Sequence, residues 1–469
     1  MPIKIQVIGA AQTVTGSRHL IQTPHSSVLL ECGLFQGHRR ESIDRNRDLG
    51  LDALTIDAVV LSHAHIDHSG ALPMLCKQGY QGPIYATPAT RDLCAVMLED
   101  AAMIQASDAQ YLNRAIEREH VDAEPIQPLF DQNDVALTLS QMIAVPYRRK
   151  QQIARDVWVT FLDAGHVLGS AICVLEIDDA GQRRHLVFTG DLGRRGMPIL
   201  RDPELPDGAD VLITESTYGD RLHPPFVEMD DQLASVLSRT HARGGKVVIP
   251  SFALERAQQL IFSIKKLQQA GKIPRMPVFV DSPLAVNITQ VFRLHPECYD
   301  AATRQVVQGG DSPFELDGLH YTASTDDSRA IDRMNEPCVI IAASGMCEAG
   351  RVLHHLRATV ENPKNTVIIV GFQAQHTLGR RIVERRPRIR IFGVERFLHA
   401  EVVVMDGFSA HADQSELLEF AEAMRRRGPL RHVVLVHGEP AAQDAMKACL
   451  IERGFPTVHV PARGEILTV

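Results

Sequence analysis

The sequence contains no C-x-x-C pair, although eight cysteines are spread over its 469 residues. Scattered single cysteines exclude a zinc ribbon and a disulfide framework, and leave buried thiols as their expected state. No apolar run approaches the roughly 20 residues that a membrane helix needs, so no membrane partner is expected. Neither a G-x-x-x-x-G-K-[ST] loop nor a G-x-G-x-x-G turn occurs, which removes the commonest nucleotide-dependent enzymes. Internal repeats and low-complexity tails are missing as well. Tryptophan occurs once, at Trp158, and this residue and Cys347 read as packing residues. Positive charge is not in excess either. A net charge of −8 argues against a surface coated for nucleic acid, but leaves room for a locally basic groove. Bound divalent cations would add charge that this count omits.

What is present is an ordinary globular composition, 45% hydrophobic and 23% charged, in a chain long enough for two cores. The opening stretch MPIKIQVIGA alternates into a strand pattern without the layout of a secretion signal, so the cytoplasm is the expected compartment. Over the first two hundred residues, runs such as SSVLLECG, IDAVVLSHAH, DVWVTFLDAGH, RHLVFTGD and ADVLITES read as short strands. Several of them end on a histidine or a carboxylate, at the strand ends where α/β folds place chemistry. From residue 220 to 395 the rhythm changes. Helical stretches near 227–243 and 253–269 flank GGKVVIPSF, and MPVFVDSP, PCVIIAASG and NTVIIVGF each lead into a loop and a helix. That alternation predicts an open, mainly parallel sheet. After residue 398 the first rhythm returns, with a helix predicted over 415–426. The expected organisation is therefore a domain of residues 1–215 and 396–469, interrupted by an inserted α/β domain of residues 216–395.

The densest chemistry lies in LSHAHIDHSG, which places His63, His65, Asp67 and His68 within six positions. In an extended segment residues two apart project to one side, so His63 and His65 can grip one metal while Asp67 and His68 turn toward another. Neutral imidazole with carboxylate suits zinc or a similar divalent ion. Four ligands exceed one open catalytic site and fall short of two, so further donors are expected at other strand ends. His166 in DAGHVLGS, Asp191 in FTGDLG and His437 in LVHGEP stand at such ends. An aspartate can bridge two ions roughly 3.5–4 Å apart, the spacing of two-metal hydrolysis.

H-x-H-x-D-H followed by GHVLGS, TGD and VLVHGE resembles the metallo-β-lactamase superfamily, an αββα sandwich. TESTYG, GFSAHAD and LVHGEP narrow the resemblance to its β-CASP branch of RNA-processing metallo-hydrolases, which includes the endonuclease subunit of the eukaryotic mRNA 3′-end cleavage complex. The inserted region then corresponds to the β-CASP cassette, and the compact bacterial and archaeal members are most similar. The resemblance implies two zinc ions per chain. His63, His65 and His166 would hold the first, with Asp191 bridging, and Asp67, His68 and His437 the second. A hydroxide between the ions would be the nucleophile. Glu31 departs from the pattern: VLLECG stands where the family usually has an aspartate supporting the metal-binding histidines from behind.

The resemblance also pairs Glu215 of TES with His411 of GFSAHAD, the imidazole acting as general acid and phosphate contact and the carboxylate holding it in its acidic form. The histidine at 437 is similar to that of RNA-cleaving rather than DNA-processing members. The implied reaction is hydrolysis of single-stranded RNA, leaving a 5′-phosphate and a 3′-hydroxyl. The cassette would cover the metal site and offer a narrow basic groove.

Candidate phosphate contacts lie in ASGMCEAGR (Ser344, Gly345, Arg351) and GFQAQHTLGR (His376, Thr377, Gly379, Arg380), where backbone N–H groups ahead of a helix can hold an anion. SFALER and VDSPLA repeat the plan and add Ser251, Arg256 and Ser282. Strand-to-helix turns need Gly and Ser for conformational reasons alone, which is the competing account. Two other functions stay open on the same platform: a thioester or lactone hydrolase, and a non-catalytic RNA-binding subunit. Self-association is also open. His65→Ala and Asp191→Ala are expected to lose metal and activity together; metal analysis beside an activity assay checks this, and full activity in either purified variant refutes the ligand assignment.

Overall fold

The computed structural model describes residues 3–36, 45–118, 125–179, 181–224, 226–371, 373 and 376–469. The chain divides into two compact units, one of Met1–Arg195, Asp202–Leu222 and His411–Val469, the other of Gly196–Arg201 and His223–Ala410.

In the first unit two seven-stranded sheets stack. One has the order Ile466–Thr468, Lys4–Gly9, Arg18–Gln22, Ser27–Leu30, Ala58–Val60, Ile84–Ala86, Met142–Ala144. The other runs Val458–His459, His432–Val436, Val211–Glu215, Gln182–Phe188, Ala171–Asp179, Val157–Asp163, Gln151–Ala154. Their facing sides share one core, in which Ile5, Val7, Val28 and Val60 of the first sheet join Val159, Phe161, Leu175, Phe188 and Ile213 of the second. Helices Gln414–Arg427 and Pro440–Glu452 bury Leu417, Phe420, Met424, Met446 and Leu450 against the back of the second sheet at Val187, Leu212, Val433 and Leu435. Helices Leu72–Lys77, Pro88–Arg118 and Gln132–Gln141 pack together beside the first sheet, which completes the αββα layering.

Each sheet is antiparallel in one half and parallel in the other. Parallel strands are covered on both faces, hence the unbroken apolar runs AVVL, LVF, VLI and VVLV. Their C-terminal ends carry Glu31, the 63–68 segment, Asp191, Glu215 and His437. The 31-residue helix Pro88–Arg118 left little mark in the sequence. Met103, Ile104 and Tyr111 on its later turns are exposed, so the 3.6-residue stripe of a core-facing helix is broken.

The second unit holds a six-stranded, wholly parallel sheet of order Leu319–Tyr321, Val278–Asp281, Val339–Ala342, Val247–Pro250, Thr366–Ile369, Glu401–Val404. The predicted helices are Phe226–Ala242 and Arg256–Gln269, and that of the first unit Gln414–Arg427. The second of these starts later than the sequence suggests because residues 253–255 turn, with Glu255 at φ 68°. Seven of the eight cysteines are buried and all are free thiols. No helix among the described residues is long and apolar enough to cross a membrane.

One close approach fixes the 63–68 segment to the first sheet. Cys32 N donates to His68 O at 2.8 Å, and a Cβ on Gly33 would lie 1.7 Å from Asp67 O and 2.7 Å from His68 N. Gly33→Ala is therefore expected to push the Asp67–His68 turn outward, costing about 1–3 kcal/mol of stability, and to weaken metal retention. Calorimetry with metal analysis checks both, and a variant matching the wild type in each removes this role for Gly33.

Candidate metal centre

The segment after Ala58–Val60 runs extended through His63 to His65, then enters the short helix Ile66–Ser69 that carries Asp67 and His68. His63 Nε2 lies 3.1 Å from His65 Nδ1, and His166 Nε2 lies 3.4 Å from the same atom. Asp191 Oδ2 stands 3.5 Å from His63 Nε2 and 3.6 Å from His166 Nε2. A tetrahedral zinc with Zn–N of about 2.0–2.1 Å needs donor atoms about 3.3–3.4 Å apart, so these four fit a zinc-sized cation. A second set adjoins it. His68 Nε2 is 3.2 Å from His437 Nε2 and 3.7 Å from Asp67 Oδ2, and His437 Nε2 is 3.3 Å from Asp67 Oδ2. Asp191 Oδ2 is also 3.4 Å from His68 Nε2 and so faces both sets.

The electrostatics suit a cation. Burial, reinforced by neighbouring imidazoles, holds His63 and His166 well below the usual histidine range and lowers His65 to about 4, so all three offer neutral lone pairs. Burial would lower His68 too, but Asp191 and Asp67 outweigh it and raise that imidazole well above its ordinary value. In the protein alone His68 therefore keeps a proton that a metal would displace. Asp191 stays ionised despite burial because His437, His68 and His411 surround it, and its buried Oδ1 accepts no hydrogen bond among the described residues.

Glu31 stands behind these rings. Its Oε1 accepts from Ser62 N at 2.6 Å, and its Oε2 accepts from Ser62 Oγ at 3.0 Å and lies 2.6 Å from His68 Nδ1. Ser62 Oγ lies 2.9 Å from His63 Nδ1, so one fully buried carboxylate orients a ring from each set. The residue sits at φ 64°, where a side chain costs about 1–3 kcal/mol, held in place by these bonds. Thr217 does the same for His437, its Oγ1 lying 3.1 Å from Nδ1. Sequence reading missed Ser62 and Thr217; adjacency to a ligand flags the first, and nothing local flags the second.

His411 and Glu215, 196 positions apart, meet: both carboxylate oxygens lie 3.1 Å from His411 Nδ1. Glu215 is further fixed by accepting from Leu192 N at 2.7 Å. Burial would lower the imidazole, but Glu215 and then Asp191 overcome this and raise it to about 9. Its Nε2 makes no hydrogen bond among the described residues, and the side chain is 21% exposed. Its ring centroid is 4.5 Å from that of His166. The loops bearing His166 and Asp191 touch at glycines, since a Cβ on Gly193 would stand 2.0 Å from Gly165 O.

In the second unit the candidate phosphate contacts have internal duties. Ser282 and Thr377 cap helices, accepting from Ala285 N at 3.2 Å and Arg380 N at 3.1 Å. Ser344 Oγ accepts from Glu348 N and Ala349 N, and Ser251 Oγ donates to Phe252 O. Gly345 makes room for the Phe252 ring and Gly379 for Gln373. Arg256 binds Gln259, and Arg380 pairs with Glu384 at 3.0 Å. Arg351 is committed to the buried Asp281 at 2.5 Å and to the carbonyls of Thr322 and Ala323. Of the loop GFQAQHTLGR, Phe372, Ala374 and Gln375 lie outside the described residues, and His376 stands at φ 70°.

Two stacked sheets whose strand ends gather five imidazoles and two carboxylates into adjoining zinc-sized donor sets define a metallo-hydrolase of the metallo-β-lactamase fold. Residues 15–226 match the metallo-beta-lactamase superfamily, residues 257–382 the Beta-Casp domain, and residues 398–461 the Zn-dependent metallo-hydrolase RNA specificity domain. The chain is 37% identical to the protein named Ribonuclease TTHA0252 from Thermus thermophilus, over 96% of this chain and 97% of that one. It is 33% identical to the transcription termination factor FttA of Methanosarcina mazei, over 94% of this chain and 67% of that longer protein. A crystal structure of a protein of unknown function from Enterococcus faecalis shares the fold, with a TM-score of 0.53 at 13% identity over 100% of both chains. The chain belongs to the β-CASP family of metallo-hydrolases.

Glu31→Gln is expected to keep the fold yet weaken zinc binding about 10–100-fold, because the His63 and His68 rings lose their common anchor. Competition against a chromophoric chelator reads this directly, and an unchanged affinity contradicts it.

Proposed function

We propose that this protein is a two-zinc ribonuclease that hydrolyses phosphodiester bonds of single-stranded RNA, leaving 5′-phosphate and 3′-hydroxyl ends. The observation that carries the reading is the Asp191 carboxylate oxygen facing both donor sets, with the Glu215-bound imidazole of His411 beside it. The substrate class is supported by the names of the relatives, a ribonuclease and a transcription termination factor, and by the RNA specificity domain matched near the C-terminus.

His63, His65 and His166 would hold one ion and Asp67, His68 and His437 the other, with Asp191 turned to both. When bound, zinc supplies positive charge that lowers the pKa of a water molecule and neutralises phosphoryl oxygens. The chain's own residues do the remaining work. Glu31, through Ser62 and His68, keeps two rings aimed, and Thr217 keeps a third. His411 turns its Nε2 outward while Glu215 holds Nδ1, an arrangement that favours a proton on the ring in the metal-free protein and suits it to act as an acid. Passing that proton to the departing 3′-oxygen releases a hydroxyl instead of an alkoxide, and the attacking oxygen stays on the 5′-phosphate. A thiolate leaves without such an acid, so the Glu215–His411 pair favours a phosphodiester over a thioester. Two complete donor sets likewise disfavour a purely RNA-binding subunit.

End-labelled single-stranded RNA and DNA, with products sized and their ends identified by mass spectrometry, test the proposal. RNA cleavage to 5′-phosphate ends is expected, and 3′-phosphate ends would contradict it. His411→Ala is expected to retain two zinc ions and cleave about 10²–10⁴-fold more slowly. Loss of zinc in that variant, or an undiminished rate, rules out His411 as the acid.

A further inference from the structure

Residues 380–397 contain seven arginines against two glutamates, in a chain whose net charge is −8. The latter part of this segment is an antiparallel pair, Arg388–Ile391 with Val394–Phe397, turned by Phe392 and Gly393. It is a two-stranded sheet of its own. Alternation sorts its faces: Ile389 and Ile391 are buried and join the cassette core. Arg388 and Arg390, with their cross-strand partners Phe397 and Glu395, occupy the other face, and all four are exposed.

Aromatic rings stand in the open among these guanidinium groups. Phe392 is 50% exposed and Phe397 47%. Phe392 occupies the turn at φ 50°, a position where asparagine or glycine meets less strain. His354 lies 4.7 Å from its ring centroid and the Arg357 guanidinium carbon 5.6 Å. Phe397 has Arg388 at 5.1 Å and a stacked His399 at 5.6 Å. Part of the charge is neutralised locally, Arg388 by Glu395, Arg396 by Glu361, and Arg380 and Arg386 by Glu384. Arg381 and Arg390 make no ion pair among the described residues.

A merely solubilising surface accounts for the arginines but not for the exposed rings between them. A two-fold contact with a second copy would bring like-charged segments face to face. A polyanion with flat bases answers both features. We propose that this hairpin is a single-stranded RNA-binding surface made of residues outside the metal centre. Its arginines contact phosphates, and Phe392, Phe397 and the neighbouring guanidinium planes stack bases. The inference rests on RNA as the substrate class, as read above.

The zinc-loaded protein and its variants are titrated against a labelled oligouridylate with a hydrolysis-resistant backbone, over a salt series. Arg388→Gln combined with Arg390→Gln is expected to reduce the slope of log affinity against log salt by about 1.4, two phosphates at about 0.7 each. Phe392→Ala and Phe397→Ala are expected to weaken binding about tenfold with the slope kept. Phe392→Leu, which keeps apolar bulk without a flat ring, is expected to bind as weakly as Phe392→Ala. Melting temperature and zinc content equal to the wild type establish that each variant is folded. Wild-type affinity and slope in the folded variants overturn the surface. So does a changed sedimentation coefficient at unchanged RNA affinity, which marks a contact between copies. Cleavage separates the two readings: RNA cut with KM unchanged in every variant leaves the nuclease standing and removes the hairpin. RNA bound through the hairpin but never cut does the reverse.

Discussion

The Asp191 carboxylate is the point on which the first unit closes. A buried anion is costly unless positive charge surrounds it, and here imidazoles from four separate strand ends converge on it. Those imidazoles are themselves too crowded to be charged together. The cluster is a set of lone pairs and carboxylates with a deficit of positive charge, and it is shaped to the bond lengths of a small divalent cation.

Both sheets send the ends of their parallel strands to one place, His166 follows the antiparallel strand Val157–Asp163, and His411 is held at Gly193 by a backbone bridge. Backbone must pass close to backbone there, and glycine at 33 and at 193 permits it. The second tier of residues, Glu31, Ser62 and Thr217, then fixes ring orientation through hydrogen bonds that belong to the protein alone. The extra methylene of Glu31 does not remove its carboxylate from the rings: Oε2 lies 2.6 Å from His68 Nδ1.

Legibility in the sequence followed distance along the chain. His63, His65, Asp67 and His68 could be read directly, since an extended segment and a helix turn dictate where each side chain goes. His166, Asp191 and His437 were visible as chemistry at strand ends, but their assignment to two sets needed the family resemblance. Glu215 with His411 was invisible to spacing, because isolated backbone bridges, Gly193 to His411 and Tyr218 to Asp413, bring the two segments together across nearly two hundred residues. The parallel cassette sheet announced itself through alternating apolar strands and helices. Helix Pro88–Arg118 did not, lacking a continuous apolar stripe. Arg351 looked like an anion contact, and the structure gives its guanidinium to Asp281, a partner 70 positions away. The arginine-rich hairpin went unread for a related reason: R-I-R-I becomes informative only when Ile389 and Ile391 are seen to be buried.

Among the described residues no sulfur joins the candidate metal centre. Cys32 follows Glu31 directly, yet burial pushes its thiol up to about 12, and every donor around Asp191 is nitrogen or oxygen. A cation held this way presents oxidants with no thiolate to attack, which removes the cysteine-oxidation route by which peroxide ejects zinc from thiolate sites. Borderline donors of this kind also accept manganese or cobalt in zinc's place, which opens the centre to spectroscopic substitution.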